Sequence, residues 1–205
     1  MAELFQLSDG EGPLLITVPH AGMAIPDDLR ENYTEAGLSG MDADVFVNEL
    51  YSFTKAHGYS NLISNISRYV VDLNRSPRDE NLYPGQFSTG LVPTVSFDER
   101  LLYLEGKEPG MIERIGRIKT YFFPYHQEIE KTLQAKKEKH GRALLWDAHS
   151  IKSHVPSLFE GKLPDFNFGT FDGKSCELPV EEAFSKVMKE FPEYSFVFNG
   201  RFKGG

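Results

Sequence analysis

The sequence contains one cysteine and no long apolar run, and both features limit what the protein can be. Cys176 has no second cysteine to pair with, so the fold does not depend on an oxidising compartment. No apolar stretch reaches the roughly 18 residues that a membrane-spanning helix needs. The N-terminus also shows no basic segment followed by an apolar one, as a secretory signal would. We therefore expect a cytoplasmic protein.

Positive charge is scarce as well, because 22 Lys and Arg face 30 Asp and Glu, giving a formal net charge of −8. A nucleic-acid-binding surface needs a basic footprint to meet phosphates, and anionic membranes attract basic segments. We therefore expect neither nucleic acid nor membrane as a partner. The chain also lacks the phosphate-binding loop, the dinucleotide fingerprint, the nucleophile elbow and the H-E-x-x-H helix, which disfavours nucleotide-binding proteins, serine hydrolases and common metalloproteases.

Short apolar segments alternate with stretches of helical periodicity along the chain. The patterns predict strands at 13–19, 59–64, 68–73, 143–147 and 194–198, and helices at 42–57, 111–139 and 180–191. The long segments rich in Pro and Gly, 74–110 and 156–179, are predicted loops, the first with one hairpin. This alternation favours an α/β protein with a largely parallel sheet, in a single domain covering 1–205.

Two histidines directly follow predicted strands, His20 after the first and His149 after 143–147. In open parallel sheets, ligands bind beyond the carboxyl ends of the strands. Together with Asp42 or Asp44, at the start of the predicted helix 42–57, these histidines make a His/carboxylate/His set that suits a hydrolytic zinc site. The spacing is too long for a local motif. On spacing alone, structural histidines and an N-capping aspartate are the more frequent arrangement.

A second group of candidates lies in the segment 68–75, which begins with Arg68 and ends with Asn74 and Arg75. One arginine can hold a carboxylate through two hydrogen bonds, and another can stabilise an oxyanion during amide hydrolysis. Pairing of these arginines with surface acids is the alternative. His126, on the predicted long helix, is more typical of a packing residue, and Cys176 is either a nucleophile or a small buried side chain.

Seven longer strings of residues follow one another along nearly the whole chain. They are VPHAG (18–22), DADVFVNELY (42–51), SRYVVDLNRSP (67–77), LYPGQFSTGL (82–91), PYH (124–126), LLWDAHSIKSHVP (144–156) and FGTFDGKSC (168–176). In this order and spacing they resemble the N-formylglutamate amidohydrolases, the deformylases of histidine breakdown. The resemblance implies a three-layer α/β/α fold with a mixed, largely parallel sheet, similar to that of zinc carboxypeptidases and of other phosphorylase/hydrolase-like proteins.

The resemblance also implies a function: metal-dependent hydrolysis of N-formyl-L-glutamate to formate and L-glutamate in histidine degradation. The implied cofactor is Zn²⁺ or another divalent transition metal. The implied metal ligands are His20, Asp44 and His149, with Asp42 as the alternative carboxylate. Arg68 is expected to polarise the scissile carbonyl. The implied substrate-binding residues are Asn74, Arg75 and His126.

Members of the family usually continue beyond the position matching residue 205, with a glutamate general base and at least one further strand. We therefore expect this chain to lack the family's C-terminal segment. Two alternatives to the deformylase stay open. One is an inactive domain that binds metal and ligand, and the other is a related amidase acting on another N-acylated acidic amino acid. The sequence leaves the metal's identity and the oligomeric state undecided.

Overall fold

The computed structural model describes residues 3–79 and 88–204. Contacts divide the chain into two compact units, Met1–Ile151 and Lys152–Gly205. The expectation of a single domain stays a prediction. The string LYPGQFSTGL falls largely within 80–87, outside the described residues.

A four-stranded sheet in the order β1-β3-β2-β4 forms the centre of the first unit. Its strands are β1 Phe5–Ser8, β2 Leu14–Val18, β3 Ser60–Ser64 and β4 Leu144–Asp147. β2 runs parallel to β3 and β4, whereas β1 is antiparallel to β3. Leu15 to Val18 are buried without alternation, as in a strand that is covered on both faces. The expected mixed, largely parallel sheet is confirmed.

The helices of the first unit are shorter and more broken than the sequence pattern predicted. They are α1 Asp27–Arg30, α2 Glu35–Leu38, α3 Val47–Leu50, a 3₁₀ helix Ser52–His57, α4 Met111–Arg117, a π-helical turn Ile118–Phe122 and α5 Phe123–His140. The predicted helix 42–57 is wrong in its first turns. Phe46 adopts a left-handed conformation with φ 67°, which ends any helix begun at Asp42. Phe46 and Leu50 are largely exposed, so their periodicity does not mark a buried face.

The long predicted helix over 111–139 is confirmed in extent, and Gly141 follows it at φ 71°. Its irregular point lies just before Pro124, in the π-helical turn Ile118–Phe122. Proline has no N–H to donate, and its ring clashes with the carbonyl four residues earlier in a regular helix. A wider turn at this position accommodates the ring without ending the helix.

The segment 68–73 is not a strand, and this prediction is wrong. It forms a buried turn, in which the Val70 N–H donates to the Ser67 carbonyl over 2.9 Å. Side chains bind its carbonyls in place of a neighbouring strand. The hydroxyl of Tyr33 donates to the Tyr69 carbonyl at 2.9 Å, and Nη1 of Arg117 donates to the Val70 carbonyl at 3.2 Å.

Arg117 is 3% exposed, and Nη1 also donates to the hydroxyls of Tyr103 at 2.7 Å and Tyr33 at 2.9 Å. We call Arg117, Tyr33 and Tyr103 the Arg117 cluster. Through this cluster, α4 holds the segment that carries Arg68.

A small apolar cluster lies beneath the carboxyl ends of β2 and β4. It consists of Ile16, Val18, Val47 and Ala148, and Trp146 packs against it. The indole Nε1 of Trp146 donates to the Tyr51 hydroxyl at 2.8 Å. This packing joins the two strand ends to the start of the short helical region.

The second unit contains a pair of parallel strands, β5 Phe166–Phe168 and β6 Phe196–Phe198, and the helix α6 Leu178–Met188. The predicted helix 180–191 and strand 194–198 are confirmed to within about three residues, a usual uncertainty for element ends. β5 lies in a segment that was predicted to be a loop. No helix in 3–79 or 88–204 is long and apolar enough to cross a membrane.

Candidate active site

Two parallel strands bring His20 and His149 together. Thr17 of β2 is paired with Asp147 of β4, and each histidine follows its strand within two residues. Because parallel strands end at the same edge of a sheet, the two imidazole rings meet, with centroids 4.9 Å apart. Asp44 joins them through its backbone, since its N–H donates to the His20 carbonyl at 2.9 Å.

Each of these three residues offers a ligand atom, and all three atoms lie within 4.8 Å of one another. Oδ2 of Asp44 is 3.0 Å from Nδ1 of His149 and 3.8 Å from Nδ1 of His20. His20 and Asp44 are buried, whereas His149 is open to solvent. Two imidazoles and a carboxylate with one accessible side form the donor set of a catalytic metal site, which keeps a position for water or substrate.

Asp42, the alternative carboxylate, points elsewhere. Its Oδ2 accepts the backbone N–H of Phe97 at 2.8 Å. Burial and the charge of the Asp42 carboxylate raise the pKa of Tyr69. The structure therefore brings Asp44, and not Asp42, to the two histidines.

A second carboxylate lies behind each histidine. Oδ1 of Asp72 is 2.7 Å from Nε2 of His20, and Oδ2 of Asp147 is 3.0 Å from Nε2 of His149. Thr17 in turn donates its hydroxyl to Oδ1 of Asp147 at 2.6 Å. Carboxylates in this position orient an imidazole and make its other nitrogen a better ligand. Both Nδ1 atoms are thereby directed toward Asp44.

Sequence reasoning did not single out either of these outer carboxylates. Asp147 stands two residues before His149, where alternation along a strand end directs both side chains to one face. That spacing was a usable signal. Asp72 stands far from His20 in the sequence and was hidden by the mistaken strand prediction.

The charges around the histidines favour a cation. Burial lowers the pKa of His149, but Asp147 and Asp44 outweigh burial and raise it to about 10. Burial raises the pKa of Asp72, but the charges of Arg68 and His20 dominate and hold it well below its usual range. Burial and the Arg68 charge lower the pKa of His20. Metal binding requires neutral imidazoles, so a metal ion would displace the proton that the carboxylates favour on His149.

Arg68 and Arg75 both lie beside Asp72. Nη2 of Arg68 donates to Oδ2 of Asp72 at 2.6 Å, and Nε of Arg75 lies 3.8 Å from the same oxygen. The guanidinium of Arg68 is also 4.6 Å from the centre of the Phe97 ring. The structure therefore gathers both predicted arginines at one side of the histidine pair, while their roles stay predictions.

Asn74 and His126 occupy different positions relative to the histidines. Nδ2 of Asn74 lies 3.0 Å from Nε2 of His149, so Asn74 faces the group directly. His126 lies behind this segment, where Nε2 donates to the Leu73 carbonyl at 2.9 Å and the ring stacks on Phe122. His126 thus supports the backbone that presents Asn74, and its predicted contact with substrate stays a prediction.

Comparison with known proteins places the chain in a family. A profile of the N-formylglutamate amidohydrolase family matches residues 12–205. The chain is 43% identical over 205 residues to the N-formylglutamate deformylase of Pseudomonas putida, of which it covers 76%. It is likewise 43% identical over its full length to the N-formylglutamate deformylase of Pseudomonas aeruginosa, of which it covers 77%.

Solved structures share the fold. The crystal structure of N-formylglutamate amidohydrolase from Ralstonia eutropha JMP134 matches 98% of this chain and 78% of that chain, with a TM-score of 0.82 and 22% identity. A gene product from Agrobacterium tumefaciens matches 78% of this chain and 61% of that chain, with a TM-score of 0.59 and 20% identity. At these identities the likeness supports the α/β fold alone.

Proposed function

Because the chain belongs to the N-formylglutamate amidohydrolase family, we propose that it hydrolyses N-formyl-L-glutamate to formate and L-glutamate with the help of a divalent metal ion. Within the structure, one observation carries this proposal: the convergence of His20, Asp44 and His149, each held by a different segment. The protein's role in histidine degradation and its cytoplasmic location stay predictions.

The three residues fit a metal ion of the borderline class. Imidazole and carboxylate ligands suit zinc, which is our proposed metal, and the same set also accepts cobalt, nickel or manganese. A divalent ion held by His20, Asp44 and His149 would supply Lewis acidity toward an amide carbonyl and toward the attacking water. Asp72 and Asp147 keep the two imidazoles turned toward that position.

The arginines fit the substrate's charge. N-Formylglutamate carries two carboxylates, and a protein with a net charge of −8 must place specific cations in the site to bind it. Arg75 has room to form paired hydrogen bonds with a substrate carboxylate, because its side chain is 18% exposed and its Nε lies 3.8 Å from Asp72. Asn74 lies beside His149 and would hold the same carboxylate.

Arg68 is suited to a different task. It is 8% exposed and fixed by Asp72, so its position would change little during a reaction. A preorganised cation beside the scissile amide stabilises the oxyanion that develops when water attacks the formyl carbon. We propose this role for Arg68. The proton from water must then reach the leaving amine through a general base.

The test is formate release from N-formyl-L-glutamate by the purified chain, with zinc added and with a chelator added. We expect release with zinc and none with chelator. N-Acetyl-L-aspartate serves as the comparison substrate, and faster turnover of it would favour an amidase for other N-acylated acidic amino acids. One zinc bound per chain without hydrolysis of either compound would favour an inactive binding domain.

A further inference from the structure

Asp72 has more charged and polar partners than its place behind one histidine requires. It is 0% exposed, and both carboxylate oxygens are occupied. Oδ1 receives His20 Nε2 at 2.7 Å and the backbone N–H of Asn74 at 2.9 Å. Oδ2 receives Arg68 Nη2 at 2.6 Å and faces Arg75 Nε at 3.8 Å.

The two oxygens therefore serve different parts of the proposed site. Oδ1 contacts a candidate metal ligand and fixes the backbone of Asn74, and Oδ2 faces the two arginines assigned to the substrate. A buried carboxylate is stable in this form only while its cationic and hydrogen-bonding partners stay in place. A change in the position of one partner consequently changes the position of the carboxylate that the others share.

We propose that Asp72 is a positioning residue that couples metal binding to substrate-carboxylate binding. When a metal ion fixes the His20 ring, His20 fixes Asp72, and Asp72 then holds Arg68, Asn74 and Arg75 in the geometry that receives a carboxylate. The coupling is reciprocal, so a bound carboxylate ligand also strengthens metal binding. This inference rests on the proposed function, since it takes the arginines as the substrate side of the site.

Asp147 provides a matched comparison within the same site. It stands behind His149 as Asp72 stands behind His20, at 3.0 Å from Nε2. Its other hydrogen bond is to Thr17, on β2. Asp147 should therefore support the metal without ordering the arginines.

The experiment compares Asp72→Asn with Asp147→Asn in two binding measurements. Zinc affinity is measured by competition with a chromophoric chelator, and L-glutamate affinity is measured by calorimetry on both zinc-loaded and metal-free protein. We expect both variants to lose about 10–100-fold in zinc affinity, as outer carboxylates do. We expect Asp72→Asn alone to lose about tenfold in the L-glutamate affinity of the zinc-loaded protein, and with it the gain in affinity that zinc gives wild type, within the usual range of coupling between sites.

Several results would overturn the inference. If Asp72→Asn lowers zinc affinity but leaves L-glutamate affinity unchanged, Asp72 supports His20 alone. An equal loss of L-glutamate affinity in both variants would point to general disorder of the site. Equal L-glutamate affinity of wild type with and without zinc would mean that metal binding and carboxylate binding are not coupled.

Two further measurements keep the outcome interpretable. If Asp72→Asn does not fold, Asp72→Glu keeps the charge and displaces the carboxylate by one methylene, and we expect the same two losses at smaller size. Failure of zinc-loaded wild type to bind L-glutamate would overturn the coupling together with the proposed function, whereas binding of L-glutamate without hydrolysis of N-formyl-L-glutamate would contradict the proposed function alone. Wild type that passes both checks leaves the comparison of variants to decide the role of Asp72.

Discussion

His149 is the one candidate ligand that faces solvent, and it is held from both sides of its ring. Nδ1 lies 3.0 Å from Asp44 and Nε2 lies 3.0 Å from Asp147. An exposed ligand is the one past which water and substrate would reach the metal position. The rigidity of this single side chain therefore affects both the affinity of the site for metal and the access of water and substrate to it.

Substitution of His149 by alanine should remove metal binding, because two protein ligands make a poor site for a divalent ion. We expect zinc affinity to fall by more than the ~100-fold that loss of an outer carboxylate causes. Metal content after dialysis measures the effect. His126→Ala is the control, since His126 bonds to the Leu73 carbonyl and should leave the metal in place. Stoichiometric zinc in His149→Ala would refute the ligand assignment.

Substitution of Arg75 by alanine should weaken L-glutamate binding while the metal stays bound. Hydrogen bonds to charged groups contribute about 1.5–3 kcal/mol, which corresponds to a loss of roughly 10–150-fold. Calorimetry on zinc-loaded protein gives the affinity, and metal analysis shows whether zinc is retained. Arg30→Ala, at an exposed position on α1, should bind L-glutamate as wild type does. Unchanged affinity in Arg75→Ala would remove Arg75 from the site.

At the scale of elements, the irregular segment 68–73 matters more than any regular helix. The sequence pattern predicted a strand at 68–73, and Val70 and Val71 are indeed fully buried. Their burial is as expected, but no neighbouring strand pairs with them in the described sheet. The hydrogen bonds that a strand would make come instead from the Arg117 cluster, which lies far away in sequence. A local pattern indicates burial but cannot show which distant donors will meet the backbone.

This dependence predicts the effect of Arg117→Ala. The change removes hydrogen bonds from a buried guanidinium to two tyrosines and the Val70 carbonyl. We expect the free energy of unfolding to fall by about 2–4 kcal/mol, measured by denaturant titration. Arg114→Ala, on the same helix but with a side chain 34% exposed, is the control. It should stay within about 1 kcal/mol of wild type. Equal effects of the two changes would mean that the cluster does not stabilise the turn.

At the scale of the whole molecule, the candidate site draws on segments spread from His20 to His149. The sequence pointed to His20 and His149 because each follows a predicted strand, and parallel strands end at the same edge of a sheet. It could not choose between Asp42 and Asp44, since both stand at the same predicted helix start. The choice depends on Phe97, whose N–H binds Asp42. Contacts of this kind appear only when the chain is folded.

A metal ion that joins such distant segments should stabilise the entire fold. Zinc at about 100 times its dissociation constant would add about 2.7 kcal/mol, because it binds the native state alone. For a protein of this size, about 2–4 °C accompany each kcal/mol. We therefore expect chelation to lower the melting temperature by about 5–10 °C. His149→Ala should show no such shift, and an equal shift in both proteins would mean that the chelator acts elsewhere.

The packing of Trp146 has a practical consequence. The sequence contains one tryptophan, so indole emission reports a single position on β4. Trp146 stands three residues before His149 in the chain. Its indole packs against the apolar cluster under both histidines and donates to the Tyr51 hydroxyl. Any ion or ligand that shifts the strand ends alters the surroundings of this fluorophore. The protein therefore carries an intrinsic optical probe, with which occupancy of the centre can be titrated without a label.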